Sequence, residues 1–290
     1  MTDGAPLPTV GELARHGLYR SLASLEVFAL LGGLYVACNV LLAAPLMDYQ
    51  NAFLNVIRTE TDSTELMRRL GELEAPRYNF IIFILTLFLS SVIAVLWLRT
   101  ISFGREAVLA GGISALFRRS GLALLRYITL ILLVVGGSLV AGLIVVLVGG
   151  IVGGLFAAFG LMSQGGVSVL LTVLVMIAIV TVMTILYVGF SISIIAATRD
   201  RSVGVLKALE LAGPGRWRLF RCFVVIAALS IPAYMLVLLI VGSIGSGSAA
   251  LWFVISGNTV VYLFTAYGGS VAVGFYDWLE PSLPAELRAS

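Results

Sequence analysis

Apolar positions in this chain are not scattered at a helical or strand period but run in six long stretches, at 25–46, 78–98, 127–149, 167–196, 222–242 and 250–276. A bilayer hydrocarbon core about 30 Å thick is crossed by about 20 helical residues, and each stretch is long enough. The pattern predicts six transmembrane helices. The first stretch follows a polar, mixed-charge segment and is too long for the apolar part of a signal peptide, so it reads as a retained anchor.

Between alternate stretches the pattern changes to one apolar face at helical spacing. Thr9 and Glu12 form a capping box ahead of Val10, Leu13, Ala14, Gly17 and Leu18. Val108, Leu109, Ile113, Leu116 and Phe117 make a second such face, ending at Gly121. Val203, Leu206, Leu209 and Leu211 make a third, stopped by Gly213, Pro214 and Gly215. Amphipathic helices of this kind lie in the headgroup plane. Arg20 to Leu25 can be laid on Arg119 to Leu124 with one residue of slack, and 116–126 aligns with 211–221 at a constant offset. The expected fold is therefore all-α, a single transmembrane domain over 1–290. Its six spans form three hairpins in units 10–98, 105–198 and 200–277, each entered through an interfacial helix.

The remaining connections differ. In the loop 47–77, Asp62 and Glu65 could cap a helix with Leu66, Leu70 and Leu73 on one stripe, ended by Ala75 and Pro76. It reads either as an amphipathic helix resting on the membrane surface or as a lid or partner-docking helix. After the third stretch, Gly149, Gly150, Gly153 and Gly154 precede Phe156, Phe159, Met162 and Gln164 without a charge, which predicts a connection dipping into the interface. Gly149 with Gly153, and Gly150 with Gly154, allow close helix contact within the chain or between copies. Pro232 is expected to kink the fifth stretch and free a carbonyl near Ser230 or Tyr234.

Composition agrees: 60% of residues are apolar and 11% charged, with a mean hydropathy of +1.08, outside the range of soluble domains. Charge adds orientation. Of 18 basic residues, Arg15, Arg20, Arg99, Arg105, Arg118, Arg119, Arg126, Arg199, Arg201, Lys207, Arg216, Arg218, Arg221 and Arg288 fall on one side. Only Arg58, Arg68, Arg69 and Arg77 fall on the other, in the loop 47–77 with six acidic residues. Basic residues in short loops stay cytoplasmic, so both termini are expected inside. A single Lys among those basic residues, with abundant Gly, Ala, Val and Leu, suggests a GC-rich bacterial genome and hence the bacterial cytoplasmic (inner) membrane.

Chemistry is sparse within the stretches. No Asp, Glu, Lys, Arg or His lies mid-span, although an ion or proton route would normally use one despite a cost of about 3 kcal/mol. The lone His16 has no ligand companions at metal spacing, so no metal is expected. Cys38 and Cys222 lie at different depths and do not suggest a disulfide. No nucleophile elbow, phosphate loop or Cys-x-x-Cys is present. Glu26, Asp277 and Glu280 share the cytoplasmic boundary, where pairing with arginines competes with any joint chemistry.

Two candidate sites remain. Arg118, Arg119 and Arg126 before the third span, and Arg216, Trp217, Arg218 and Arg221 before the fifth, sit at headgroup depth. Each basic residue there gains about 1 kcal/mol from an anionic leaflet; topogenic anchoring explains them equally well. Asn258, Tyr262 and Thr265, at spacings of four then three, share a face of the last span, where they could line a groove or meet another helix.

The segments Leu206 to Leu211 and Gly215 to Phe220, with Ala266, Tyr267 and the closing Phe275, Tyr276, Asp277, resemble the membrane-domain family associated with glycerophosphoryl diester phosphodiesterases. In that family the catalytic barrel is a separate soluble domain. The resemblance thus implies a membrane module without the enzyme. The expected function is non-enzymatic: binding or helping to move lipids or lipid-derived molecules, or supporting a membrane partner. A small-solute transporter subunit and a structural or assembly subunit are the alternatives. Expected partners are membrane lipids and a membrane protein, with homo-oligomerisation left open; neither nucleic acid nor a cofactor is expected.

Overall fold

A computed structural model describes residues 8–59, 63–73, 79–106, 108, 111–159, 164–201, 203–243 and 249–282. Leu109, Asp62, Ala75, Pro76, Arg77, Met162 and Arg288 lie outside them. All regular structure among the described residues is helical, as hydrocarbon demands of a chain that must satisfy its own backbone groups. The helices are α1 (Val10–Ala23), α2 (Leu25–Ala43), α3 (Met47–Thr59), α4 (Ser63–Glu72), α5 (Asn79–Phe103), α6 (Gly112–Ala158), α7 (Gln164–Thr198), α8 (Val205–Leu211), α9 (Arg216–Ser243) and α10 (Ala249–Leu279). Six segments, within α2 to α3, α5, α6, α7, α9 and α10, are long and apolar enough to cross a membrane.

The capping box forms: Thr9 Oγ1 accepts from Glu12 N at 3.2 Å, and Glu12 Oε2 accepts from Thr9 N at 2.6 Å. Other boundaries differ from the pattern. The second interfacial helix does not end at Gly121; α6 runs through it for 47 residues. A helical glycine costs about 1 kcal/mol relative to alanine, less than leaving backbone groups unpaired in lipid, and no proline interrupts this stretch. For the same reason Gly149 to Gly154 are helical rather than part of a dipping connection. At 1.5 Å per residue α6 reaches about 70 Å, over twice a hydrocarbon core. α9 begins at Arg216, taking the basic cluster into the helix, and continues past Pro232. α4 carries its own surface ion pairs, with Arg68 and Arg69 on Glu65 and Arg68 also on Glu72.

α10 is the hub, packing against α1, α2, α5, α7 and α9. Small residues let α1 cross it closely. A Cβ on Gly17 would lie 2.6 Å from Val271 Cγ2, and Ser21 Oγ donates to Ser270 Oγ at 3.0 Å. Gly274 similarly accommodates the ring of His16, which is exposed on its other side. α6 and α7 lie along each other, with Gly137 facing Val182 and Gly149 facing Leu171. Their far halves present Leu139, Leu143, Ile151, Val173 and Met176 outward. The main core, including Trp97, Phe190, Ile195, Leu219 and Phe275, occupies the arginine-rich half. A minor cluster of Val237, Val241 and Ala249 marks the opposite end.

Candidate functional site

Along α10 three levels follow one another: an ionic cluster at 276–280, an aromatic cavity between 261 and 272, and an amide-bearing cavity between 253 and 261. Each is assembled from several helices, and none is contiguous in sequence.

The ionic level joins the ends of α5, α7 and α10. Arg99 donates through Nη1 to Thr198 O at 2.7 Å and through Nε to Val108 O at 3.2 Å. Arg199 reaches Asp277 Oδ1 at 2.5 Å and Glu280 Oε2 at 2.6 Å; Arg201 takes the other Glu280 oxygen, and Arg20 the other Asp277 oxygen at 2.7 Å. The guanidinium of Arg199 lies 4.7 Å from the Tyr276 ring centroid and 5.5 Å from that of Phe103, a stacking that suits a planar cation. α7 ends in a Schellman turn: Asp200 N donates to Ala197 O and Arg201 N to Ala196 O. This places Asp200 at φ +62°, a left-handed conformation that aspartate tolerates. The turn aims its carboxylate at Arg118 and Arg119, and the hydrogen bond from Arg119 holds it below the usual carboxylate range.

The aromatic level is a cavity of about 190 Å³ between α2, α5, α6, α7 and α10. Tyr35, Trp97, Tyr127, Tyr187, Phe190 and Tyr262 are its aromatic lining. Their rings interlock, with Phe28 to Trp97 at 5.2 Å, Tyr35 to Tyr262 at 5.9 Å and Tyr127 to Phe190 at 4.7 Å. Gly32 makes room for Tyr262, since a Cβ there would lie 2.6 Å from its ring. Key polar atoms are spent on protein carbonyls: Trp97 Nε1 donates to Ala266 O at 2.9 Å, Tyr262 OH to Phe28 O at 2.7 Å, and Thr265 Oγ1 to Val261 O at 2.6 Å. The wall is left chiefly apolar, and an apolar cavity of about 150 Å³ already admits a benzene-sized group. Leu98, Ile195 and Ala272 line it within about one turn of Arg99, Arg199 and Tyr276, so the ionic cluster lies next to this end of the cavity.

The third level, about 240 Å³, meets the second at Val261. Asn39, Gln50, Thr86, Tyr234 and Asn258 bring one polar side chain each from α2, α3, α5, α9 and α10. Asn39 and Asn258 each give one amide N–H to the carbonyl four residues back, at 2.8 and 2.7 Å. Gln50 Oε1 is buried without a protein partner. An unsatisfied group of this kind costs about 1–3 kcal/mol.

The sequence candidates are thus divided. Tyr262 and Thr265 line the aromatic cavity and Asn258 the amide cavity. Arg119 is 6% exposed and forked on Asp200, which commits it within the fold, whereas Arg118 pairs with the same carboxylate and stays exposed. Arg126 is half-buried, and Arg218 donates to Pro8 O at 2.8 Å. Arg216 stacks on exposed Trp217 beside a cleft lined by Ile185, Leu209 and Phe220, and Arg221 is exposed. Glu26 pairs with Arg105, whereas Asp277 and Glu280 share Arg199. Among the described residues no group of three or more His, Cys, Asp or Glu could hold a metal. Tyr35, Trp97, Tyr127, Tyr187, Gln50 and Tyr234 were missed by sequence reasoning. The available signal was the recurrence of aromatic residues inside otherwise aliphatic spans.

No family model, curated protein or solved structure matches this chain. These comparisons thus add nothing to the resemblance described above.

Proposed function

We propose that this chain is a non-enzymatic, multi-pass protein of the bacterial cytoplasmic membrane that binds lipid by taking hydrocarbon into the aromatic cavity. In this reading both termini are cytoplasmic, the six spans form three hairpins, and the ionic cluster lies at the inner headgroup level. The carrying observation is the cavity itself: about 190 Å³ between five helices, with the polar atoms of Trp97, Tyr262 and Thr265 committed to protein carbonyls. Such a wall favours hydrocarbon over a polar solute, since it offers little to replace a hydration shell.

Trp97 provides the test. With Trp217, Trp252 and Trp278 replaced by Phe, Trp97 fluorescence in nanodiscs should be quenched by brominated acyl chains. Ala94→Phe, which projects a ring from the cavity wall, should reduce that quenching severalfold while the protein remains monodisperse. Quenching no greater than at a fully buried site, or unchanged by Ala94→Phe, would refute hydrocarbon entry.

A further inference from the structure

We propose that the amide cavity is a binding site for an uncharged, hydroxyl-bearing group of glycerol or single-sugar size. In its lipid form, where it rests on the function proposed above, that group is the headgroup of a neutral glycerolipid whose chain enters the aromatic cavity. Five separate elements each place one neutral polar side chain on the same space, and no charged side chain lines it. Three of the five are carboxamides. A carboxamide offers both donors and acceptors, as a hydroxyl does, so the two are complementary whichever way each amide is turned. Gln50 adds an unsatisfied acceptor at the wall: its oxygen is buried with no donor from the protein, and a turn of the terminal amide toward the cavity would let a ligand hydroxyl supply one.

Charge and size narrow the class. A phosphate would find no cation here and an ammonium no carboxylate, and burying either unpaired is unfavourable. At about 30 Å³ per water in the liquid, 240 Å³ corresponds to about eight waters, enough for a glycerol or one sugar ring. Placement fits as well. The cavity begins four residues inside the start of α10, and Val261 is a wall it shares with the aromatic chamber, so the two are neighbours along the helix. At 1.5 Å per residue the two levels together span about 30 Å of helix, head to tail.

The test uses the full chain in phosphatidylglycerol nanodiscs doped with equal amounts of dioleoylglycerol, monoglucosyl dioleoylglycerol and phosphatidylethanolamine. Native mass spectrometry reads which lipid is retained after annular lipid is stripped. The expected result is preferential retention of a neutral lipid, weakened about tenfold by Gln50→Leu and by Asn258→Leu, as for the loss of one hydrogen bond of about 1.4 kcal/mol. Gln50→Leu removes an orphan acceptor, so its melting temperature should match or exceed that of the parent, separating lost binding from lost fold.

A second arm titrates glycerol and methyl glucoside alone. Binding of the free polyol, abolished by the same substitutions, would support the site and assign its ligand to solution. Should Trp97 quenching by brominated chains then be absent, the lipid function fails while the site stands. Preferential retention of phosphatidylglycerol or phosphatidylethanolamine, or retention and polyol binding indifferent to both substitutions, would overturn the proposal.

Discussion

Arg199 shows how much one side chain can hold at the end of a bundle. It is 8% exposed, bridges Asp277 and Glu280, and lies between the rings of Tyr276 and Phe103. Removing it leaves the carboxylates only Arg20 and Arg201. Arg199→Gln should therefore lower the melting temperature in nanodiscs by an amount corresponding to about 2–3 kcal/mol, below the range for fully buried pairs because both acids are partly solvated. Arg199→Lys should recover little, since an ammonium cannot bridge two carboxylates in a planar fork and stack as well. Asp200 gives a pH signature. Its carboxyl titrates lower folded than unfolded because Arg119 donates to it, so its contribution is present above the unfolded value near 3.9 and is lost as pH falls through the folded one. The stability gap between wild type and Asp200→Asn should be constant from pH 7 to about 4 and shrink below that, as read by thermal melts across pH.

At the scale of elements, close approach is governed by glycine. A Cβ on Gly189 of α7 would lie 2.5 Å from Val205 O and 3.0 Å from Leu209 Cβ of α8, and neither backbone nor Cβ can yield cheaply. Gly189→Ala should destabilise by about 1–3 kcal/mol, as overpacking does. Gly33→Ala on α2, with nothing within 4 Å, should be neutral or slightly stabilising, because alanine is the better helix former. A melting-temperature comparison of the two separates packing from propensity. The same logic applies where Gly17 admits α10 and where Gly32 admits the Tyr262 ring.

For the molecule as a whole, the arrangement along α10 places charge at one end, aromatic rings in the middle and neutral amides beyond them. With Cys38 and Cys222 replaced by Ser, Gly104→Cys should react with an impermeant maleimide only after cells are opened, whereas Thr59→Cys should react from outside. The reverse pattern would invert the topology. The far half of α6 carries apolar side chains outward from Leu132 to Leu155, about 35 Å at 1.5 Å per residue, slightly more than a hydrocarbon core, which calls for tilt or local thickening of the bilayer.

Much of this was legible from local rules, and the boundary between the two kinds of knowledge is physical. Span number, the capping box at Thr9 and the stop at Gly213 to Gly215 depend on contacts within a few residues, so periodicity and turn chemistry reveal them. The continuity of α6 through Gly121 was not legible, because it depends on the cost of open backbone in lipid rather than on the residue itself. Nor was Arg119 separable from Arg216: both are arginines before a span, and only the turn at Asp200, 81 positions away, turns one inward. Asn258, Tyr262 and Thr265 were found by spacing on one helix, yet their division between two cavities follows from α2, α3, α5 and α9. The sequence by itself determined what dissolves in a bilayer and how many segments are long enough to cross it. Tertiary structure decided which side chains meet, because in a membrane the hydrophobic effect places helices in lipid without saying which faces they present to one another.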